Sequence, residues 1–137
     1  MNISARCEYA CRALVELGTH FAAQQTVTSQ DIAERRHIPE KYLVHILLQL
    51  KRAGLVRSVR GAQGGYILVK EPDEIRLLDV VEAIDGSVLS PLPVEDRASD
   101  VLKPAWEEVA EGIRNVLAGT TIRHLIEKAA SNNMYYI

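Results

Sequence analysis

Only two cysteines, Cys7 and Cys11, stand among 137 residues, too few for a disulfide framework. No run of about 18 apolar residues occurs, so the chain is not expected to cross a membrane. The N-terminus lacks the charged-then-apolar pattern of a secretory signal, which makes the cytoplasm the expected location. The four histidines, at 20, 37, 45 and 124, are scattered, and none pairs at metal-ligand spacing. There is no Ser/His/Asp arrangement and no Gly-x-Ser-x-Gly elbow. Gly61-Ala-Gln-Gly-Gly-Tyr66 is not a phosphate-binding loop, because the Lys-Ser/Thr that would follow is missing. These absences leave an enzyme without support. No internal repeat or low-complexity tract interrupts the chain.

What is present is enough apolar material, 47% of residues, for one cored domain, with or without an extension. The net charge of −2 hides a division. Residues 31–60 carry a net +4 and residues 71–112 a net −9. A local basic face is what phosphate attraction needs, and the acidic remainder must point elsewhere. Charge alone does not separate such a face from ordinary solvated surface.

Periodicity predicts a mainly α chain. Tyr9, Ala13, Leu17 and Phe21 recur every four residues along a helix from about Ser4, its N-cap, to Ala23. Gln24 to Val27 reads as a connector. Ser29 is expected to cap a short helix with Ile32 and Ala33 inward and Glu34, Arg35 and Arg36 solvated. His37-Ile-Pro39 breaks it. Pro39 suits the first turn of the next helix, which runs to about Ala53 with Gly54 at its end. Leu43, Ile46, Leu47 and Leu50 form its apolar stripe, leaving Glu40, Lys41, Val44, His45 and Gln49 outside. A short helix, a tight break and a longer helix is the helix-turn-helix arrangement.

Leu55–Val59 and Tyr66–Val69 then read as two short strands around a basic, glycine-rich turn, Arg60 to Gly65. Such a hairpin is marginal alone and must lean on the helices before it. A basic hairpin tip beside a helix-turn-helix reads as a winged DNA-binding domain, over residues 1–85. Leu77 to Ile84 is a short helix, and residues 86–102 a loop. Residues 103–137 hold a long amphipathic helix, a short last helix capped by Thr120 or Thr121 and running through Ala130, and a tail. Trp106, Val109, Ile113, Val116 and Leu117 line the long helix either as intrachain core or as a dimer seam. A helix this long in so small a chain favours the seam.

The DNA-binding candidates follow from this placement. Lys41, Tyr42 and His45 open the recognition helix. Lys41 suits guanine or phosphate, and Tyr42 suits phosphate, sugar or a half-buried core position. Arg60 reaches a narrow minor groove or is merely solvated. Gln63, Gly64 and Gly65 accompany it, the glycines for positive φ or for close approach to phosphate. Ser29 joins the set at the start of the short helix. Cys7 and Cys11 share one helix face. They are two small buried hydrophobes, or a redox or metal site that would make the chain a redox- or metal-responsive regulator. An internal disulfide at this spacing is unfavourable. A protein-interaction module whose basic face is incidental stands as the alternative from another class.

Ile38-Pro-Glu-Lys-Tyr-Leu43, followed by Leu50-Lys-Arg-Ala-Gly-Leu-Val-Arg-Ser-Val-Arg-Gly-Ala-Gln-Gly-Gly-Tyr66, resembles the Rrf2 family of winged helix-turn-helix transcription regulators, which includes the IscR, NsrR and CymR types. The resemblance covers essentially the whole chain. It implies a homodimer on double-stranded DNA, with the long C-terminal helix crossing to the partner subunit, and backbone contacts from Ser4 and Arg6. It also points to Glu8, since some members use an N-terminal acidic residue as a metal ligand across the dimer. Cluster-binding members carry three cysteines in the loop that here spans 86–102, which holds neither Cys nor His. No iron–sulfur cluster or other cofactor is therefore expected. Glu71-Pro-Asp-Glu-Ile, Leu89-Ser-Pro and the closing Tyr-Tyr-Ile look instead like the cluster-free cysteine-metabolism repressors. For those the resemblance implies cysteine synthase as a partner, held through Tyr135, Tyr136 and the carboxylate of Ile137.

Overall fold

Ser4 begins the first helix as expected. In the computed structural model, which describes residues 2–90, 92, 94 and 96–135, its hydroxyl accepts the Cys7 N–H at 3.0 Å. Helix α1 (Ala5–Thr19) ends four residues before Ala23. The N–H groups of His20 and Phe21 turn back to Leu17 and Gly18, a tightening that closes a helix. Gln24 then takes a left-handed conformation at φ 56°. Cys7, Ala10, Leu14 and Leu17 are buried, and most of the later elements pack around α1.

Helix α2 (Ser29–Arg36) is capped by Thr28 and not by Ser29. Thr28 has the extended backbone that a cap requires, and its hydroxyl accepts the Asp31 N–H at 3.1 Å. Ser29 is the first helical residue and is exposed. His37 closes α2 in the left-handed region, φ 53°. Ile38 is buried behind it. Pro39 caps helix α3 (Glu40–Arg52) from outside its first turn, its carbonyl accepting the N–H groups of Tyr42 and Leu43. The predicted stripe of Leu43, Ile46, Leu47 and Leu50 is fully buried.

Strands β1 (Val56–Val59) and β2 (Gly65–Leu68) pair antiparallel, Val56 opposite Leu68 and Val59 opposite Gly65. The expected connector before α2 is more than a connector. Val27 bridges Tyr66 through two backbone hydrogen bonds, at 3.0 and 2.8 Å, and so braces the wing from its second edge.

Helix α4 (Leu77–Asp85) follows a 3₁₀ turn at Pro72–Glu74. Another 3₁₀ turn, Arg97–Asp100, lies inside the segment expected to be loop. Helix α5 (Lys103–Ala118) leads to α6 (Ile122–Tyr135), which runs five residues beyond Ala130. Thr121 is its cap, with His124 N–H and the Thr121 hydroxyl 3.3 Å apart. The start of α6 is fastened to the segment before α4: Ile122 N–H donates to the Ile75 carbonyl, and Leu77 N–H to that of Thr120. Ile122 is fully buried in the main core, against α1. No helix among the described residues is long and apolar enough to cross a membrane.

A charged side chain lies inside this core. Glu16, in the last turn of α1, is 5% exposed. Its carboxylate accepts from Arg36 at 2.9 Å and Arg35 at 3.1 Å, and meets the His20 ring at 2.7 Å. Arg35 is exposed, as expected, and Arg36 half-buried, and both reach Glu16 and hold α2 to α1. Arg12 adds to the clamp from α1, donating to the Arg36 and His37 carbonyls at the end of α2. Burial pushes the Glu16 carboxyl up, but the bonds from His20, Arg36 and Arg35 outweigh it and hold the group below its ordinary range. A lowered native pKa means the unfolded chain binds more protons in that interval, so stability falls as pH drops through it. Glu16→Gln is expected to cost about 1–3 kcal/mol at neutral pH, the arginines being partly exposed. It should also flatten the loss of stability below about pH 4.5. Chemical denaturation of both proteins between pH 3 and 7 checks this.

Candidate nucleic-acid interface

Because α3 buries one stripe, its opposite face is left for something else. Glu40, Lys41, Tyr42, Val44 and His45 are exposed along its N-terminal half, Val44 to 65%. The N-terminal end of the helix is also its positive dipole end. Tyr42, open between contact and core, is 40% exposed. Its ring stacks on Tyr9 of α1 with centroids 6.0 Å apart, and the Lys41 ammonium lies 5.1 Å from its centroid. The aromatic body is braced and the hydroxyl end is free to meet a ligand. Leu48 is also exposed, one turn beyond Val44 on the same side of α3.

The wing is joined to this helix by a side-chain bond partway along β1. Lys51 of α3 donates to the Ser58 hydroxyl of β1 at 3.2 Å, and Arg6 of α1 donates to the Gln49 side chain. Arg60, Gly61, Ala62 and Gln63 form an exposed tip. Gly64 and Gly65 lie lower. A Cβ on Gly64 would stand 2.5 Å from the Val59 carbonyl oxygen, and one on Gly65 2.6 Å from that of Val27. Gly65 also has φ +148°. Both glycines therefore serve close backbone approach within the hairpin and its brace. Thr26 adds a side-chain anchor, its hydroxyl donating to the Gln63 carbonyl at 2.8 Å.

The structure unites Lys41, Tyr42, His45 and Arg6 with α3, and Arg60 and Gln63 with the wing. Ser4 is occupied elsewhere. Its hydroxyl and N–H both donate to Asp85 at the end of α4. Sequence reasoning overlooked Arg57, exposed on β1, and the Thr26–Val27 brace. The alternation of Val56, Arg57 and Ser58 was the available signal for the first; nothing local signals the second.

The stripe on α5 divides in two. Trp106, Val109 and Val116 are exposed, to 47%, 46% and 72%. Ile113 and Leu117 are half-buried against Leu78, Val88 and Ala110 of their own chain. Tyr135 ends α6, while Tyr136 and Ile137 lie outside the described residues. Cys7 is buried and Cys11 half-buried. A hydrogen bond from Cys11 holds the Cys7 thiol below the ordinary range, and the same interaction with burial pushes Cys11 up. The group that tunes Cys7 is thus its neighbouring thiol.

A helix-turn-helix with an exposed second helix and a basic, braced wing defines a DNA-binding regulator. The family model for Rrf2, described as iron-dependent transcriptional regulators, matches residues 3–128, and the chain belongs to this family. It is 36% identical over 127 residues to an rrf2-like HTH-type transcriptional regulator of Rhodobacter capsulatus, covering 90% of this chain and 84% of that one. The structure of CymR, the global cysteine regulator of Bacillus subtilis, superposes with a TM-score of 0.82 at 30% identity, over 93% of this chain and 98% of the other. IscR of T. potens gives 0.77 at 36% identity, over 94% and 88%. The family and these relatives are transcriptional regulators and not enzymes.

The family description implies iron, and the residues do not fit it as a cluster. Iron–sulfur clusters take four ligands, chiefly thiolates. Residues 86–102 offer none, and among the described residues no group of three or more His, Cys, Asp or Glu side chains is arranged to hold a metal ion.

Gly65→Ala tests the brace. The added methyl meets the Val27 backbone at a strained φ, so a loss of about 1–3 kcal/mol in thermal or urea unfolding is expected.

Proposed function

We propose that this chain acts as a cytoplasmic homodimeric repressor of cysteine or sulfur metabolism genes, with α3 in the major groove and the wing in the neighbouring minor groove. The observation that carries the DNA part is the tie between α3 and the wing through Lys51 and Ser58, which sets an exposed, polar helix beside an exposed arginine tip. Lys41 and His45 meet base edges or phosphate, and Val44 suits a thymine methyl. Tyr42, Ser29 and Arg6 contact the backbone, and Ser4 fixes the turn from which Arg6 projects. Arg60 enters the minor groove, with Gln63 beside it and Gly64 and Gly65 shaping the tip. Residues 1–85 form the DNA-binding unit in this reading and 103–137 the assembly unit.

The exposed face of Trp106, Val109 and Val116 supports the homodimer, with Ile113 and Leu117 at its edge. A contiguous apolar strip on a surface helix marks an interface, and two-fold symmetry matches a palindromic operator. The cysteine assignment is supported by the likeness to CymR of B. subtilis and by the absence of cluster ligands. On this reading cysteine synthase binds the C-terminal tail, Tyr135, Tyr136 and Ile137, through its terminal carboxylate. If that partner tightens DNA binding, DNA must tighten the partner equally.

Arg60→Ala is expected to weaken operator binding and to lower the log–log salt slope by about one; an unchanged slope in a salt titration removes the minor-groove role. Val116→Glu should convert dimer to monomer by sedimentation while the circular dichroism spectrum holds. Deletion of Ile137 should abolish capture of purified cysteine synthase and leave DNA affinity alone. Undiminished capture sinks the tail assignment.

A further inference from the structure

A cavity of about 440 Å³ lies between α1, α4, α5 and α6, away from the groove-reading surface. Most of its wall is apolar, and Cys7 and Cys11 both line it. We propose that these two thiols form a two-coordinate site for a soft monovalent cation of the copper(I) class, bridged across one turn of α1.

Helix geometry favours an ion over a disulfide. Residues four apart on a helix have Cβ atoms about 5–6 Å apart, whereas a disulfide needs roughly 3.5–4.5 Å. A linear sulfur–metal–sulfur bridge, with bonds near the ~2.3 Å of zinc thiolates, holds its sulfurs about twice that distance apart. Both thiols line the same cavity from successive turns of α1.

The donor set selects the ion. Thiolates prefer soft metals such as copper(I). Zinc wants four ligands and iron–sulfur clusters want four, and only two sulfurs are offered here. Of the two acids beside the thiols, Glu8 is paired with Arg12 at 3.1 Å, and Asp85 accepts from Ser4 while also bearing on Cys7. Copper(I) replaces the two thiol protons, which leave to solvent, and no electron moves. The resulting complex carries one negative charge.

The test uses reduced full-length protein under anaerobic conditions, with copper(I) supplied as its complex with a coloured chelator. Wild type should withdraw one copper(I) per chain, develop a thiolate-to-copper charge-transfer band, and melt at higher temperature with the metal bound. Cys11→Ser and Cys7→Ser should each lose all three. Cys11 is only half-buried, so Cys11→Ser keeps the test valid where Cys7→Ser fails to fold. No withdrawal by wild type, or full withdrawal by Cys11→Ser, overturns the site. Stoichiometric binding of zinc(II) by wild type overturns the two-coordinate assignment. Every readout is taken without DNA, so it stands apart from the regulator proposal.

Discussion

Helix α1 is buried without interruption from Ala13 to Gly18, and Glu16 sits in the middle of that run. A carboxylate in such a place costs several kcal/mol unless it is paired and hydrogen-bonded. It gathers three partners, two of them from α2. This satisfaction fixes the angle at which α2 leaves α1. Where α2 ends, left-handed His37 and buried Ile38 decide where α3 begins. The orientation of α3 thus depends on a charge buried between α1 and α2.

The two halves of the sequence differ in what they do with charge. In the basic half, Arg35 and Arg36 are engaged by Glu16, while Lys41, Lys51, Arg52, Arg57 and Arg60 are exposed without an acidic partner among the described ion pairs. In the acidic half, several carboxylates act locally: Asp79 pairs with Arg76, Asp73 with Arg123 and Glu111 with Arg114. Asp85 holds Ser4. Asp73 and Asp85 thus fasten separate elements together, while Asp79 and Glu111 each act within one helix.

Helix α3 and the wing were legible because each announces itself locally: an i, i+3, i+4 stripe in one, paired strand residues around glycines in the other. The division of the α5 stripe was half legible. Ile113 and Leu117 lean inward only because Leu78 and Val88, more than 20 residues earlier, are there to meet them. Glu16 was not legible at all, since a glutamate between Val15 and Leu17 reads as solvated until its partners from α2 arrive. Thr28 and Ser29 are chemically equivalent as caps, and only the backbone angle of the preceding turn distinguishes them. The brace at Val27 is invisible for the same reason: its partner Tyr66 is 39 positions away in the sequence.

That brace has a mechanical outcome. Thr26 and Val27 stand between α1 and α2, and both grip the wing, while Lys51 grips it from α3. These contacts tie the hairpin to two separate parts of the fold. In the proposed mode of binding, helix and wing are then the jaws of a caliper whose opening is set by the fold. Duplexes whose groove spacing matches that opening would be engaged without distortion. Those that do not match would have to bend or twist to fit, and the energy of that deformation would become part of how one sequence is told from another.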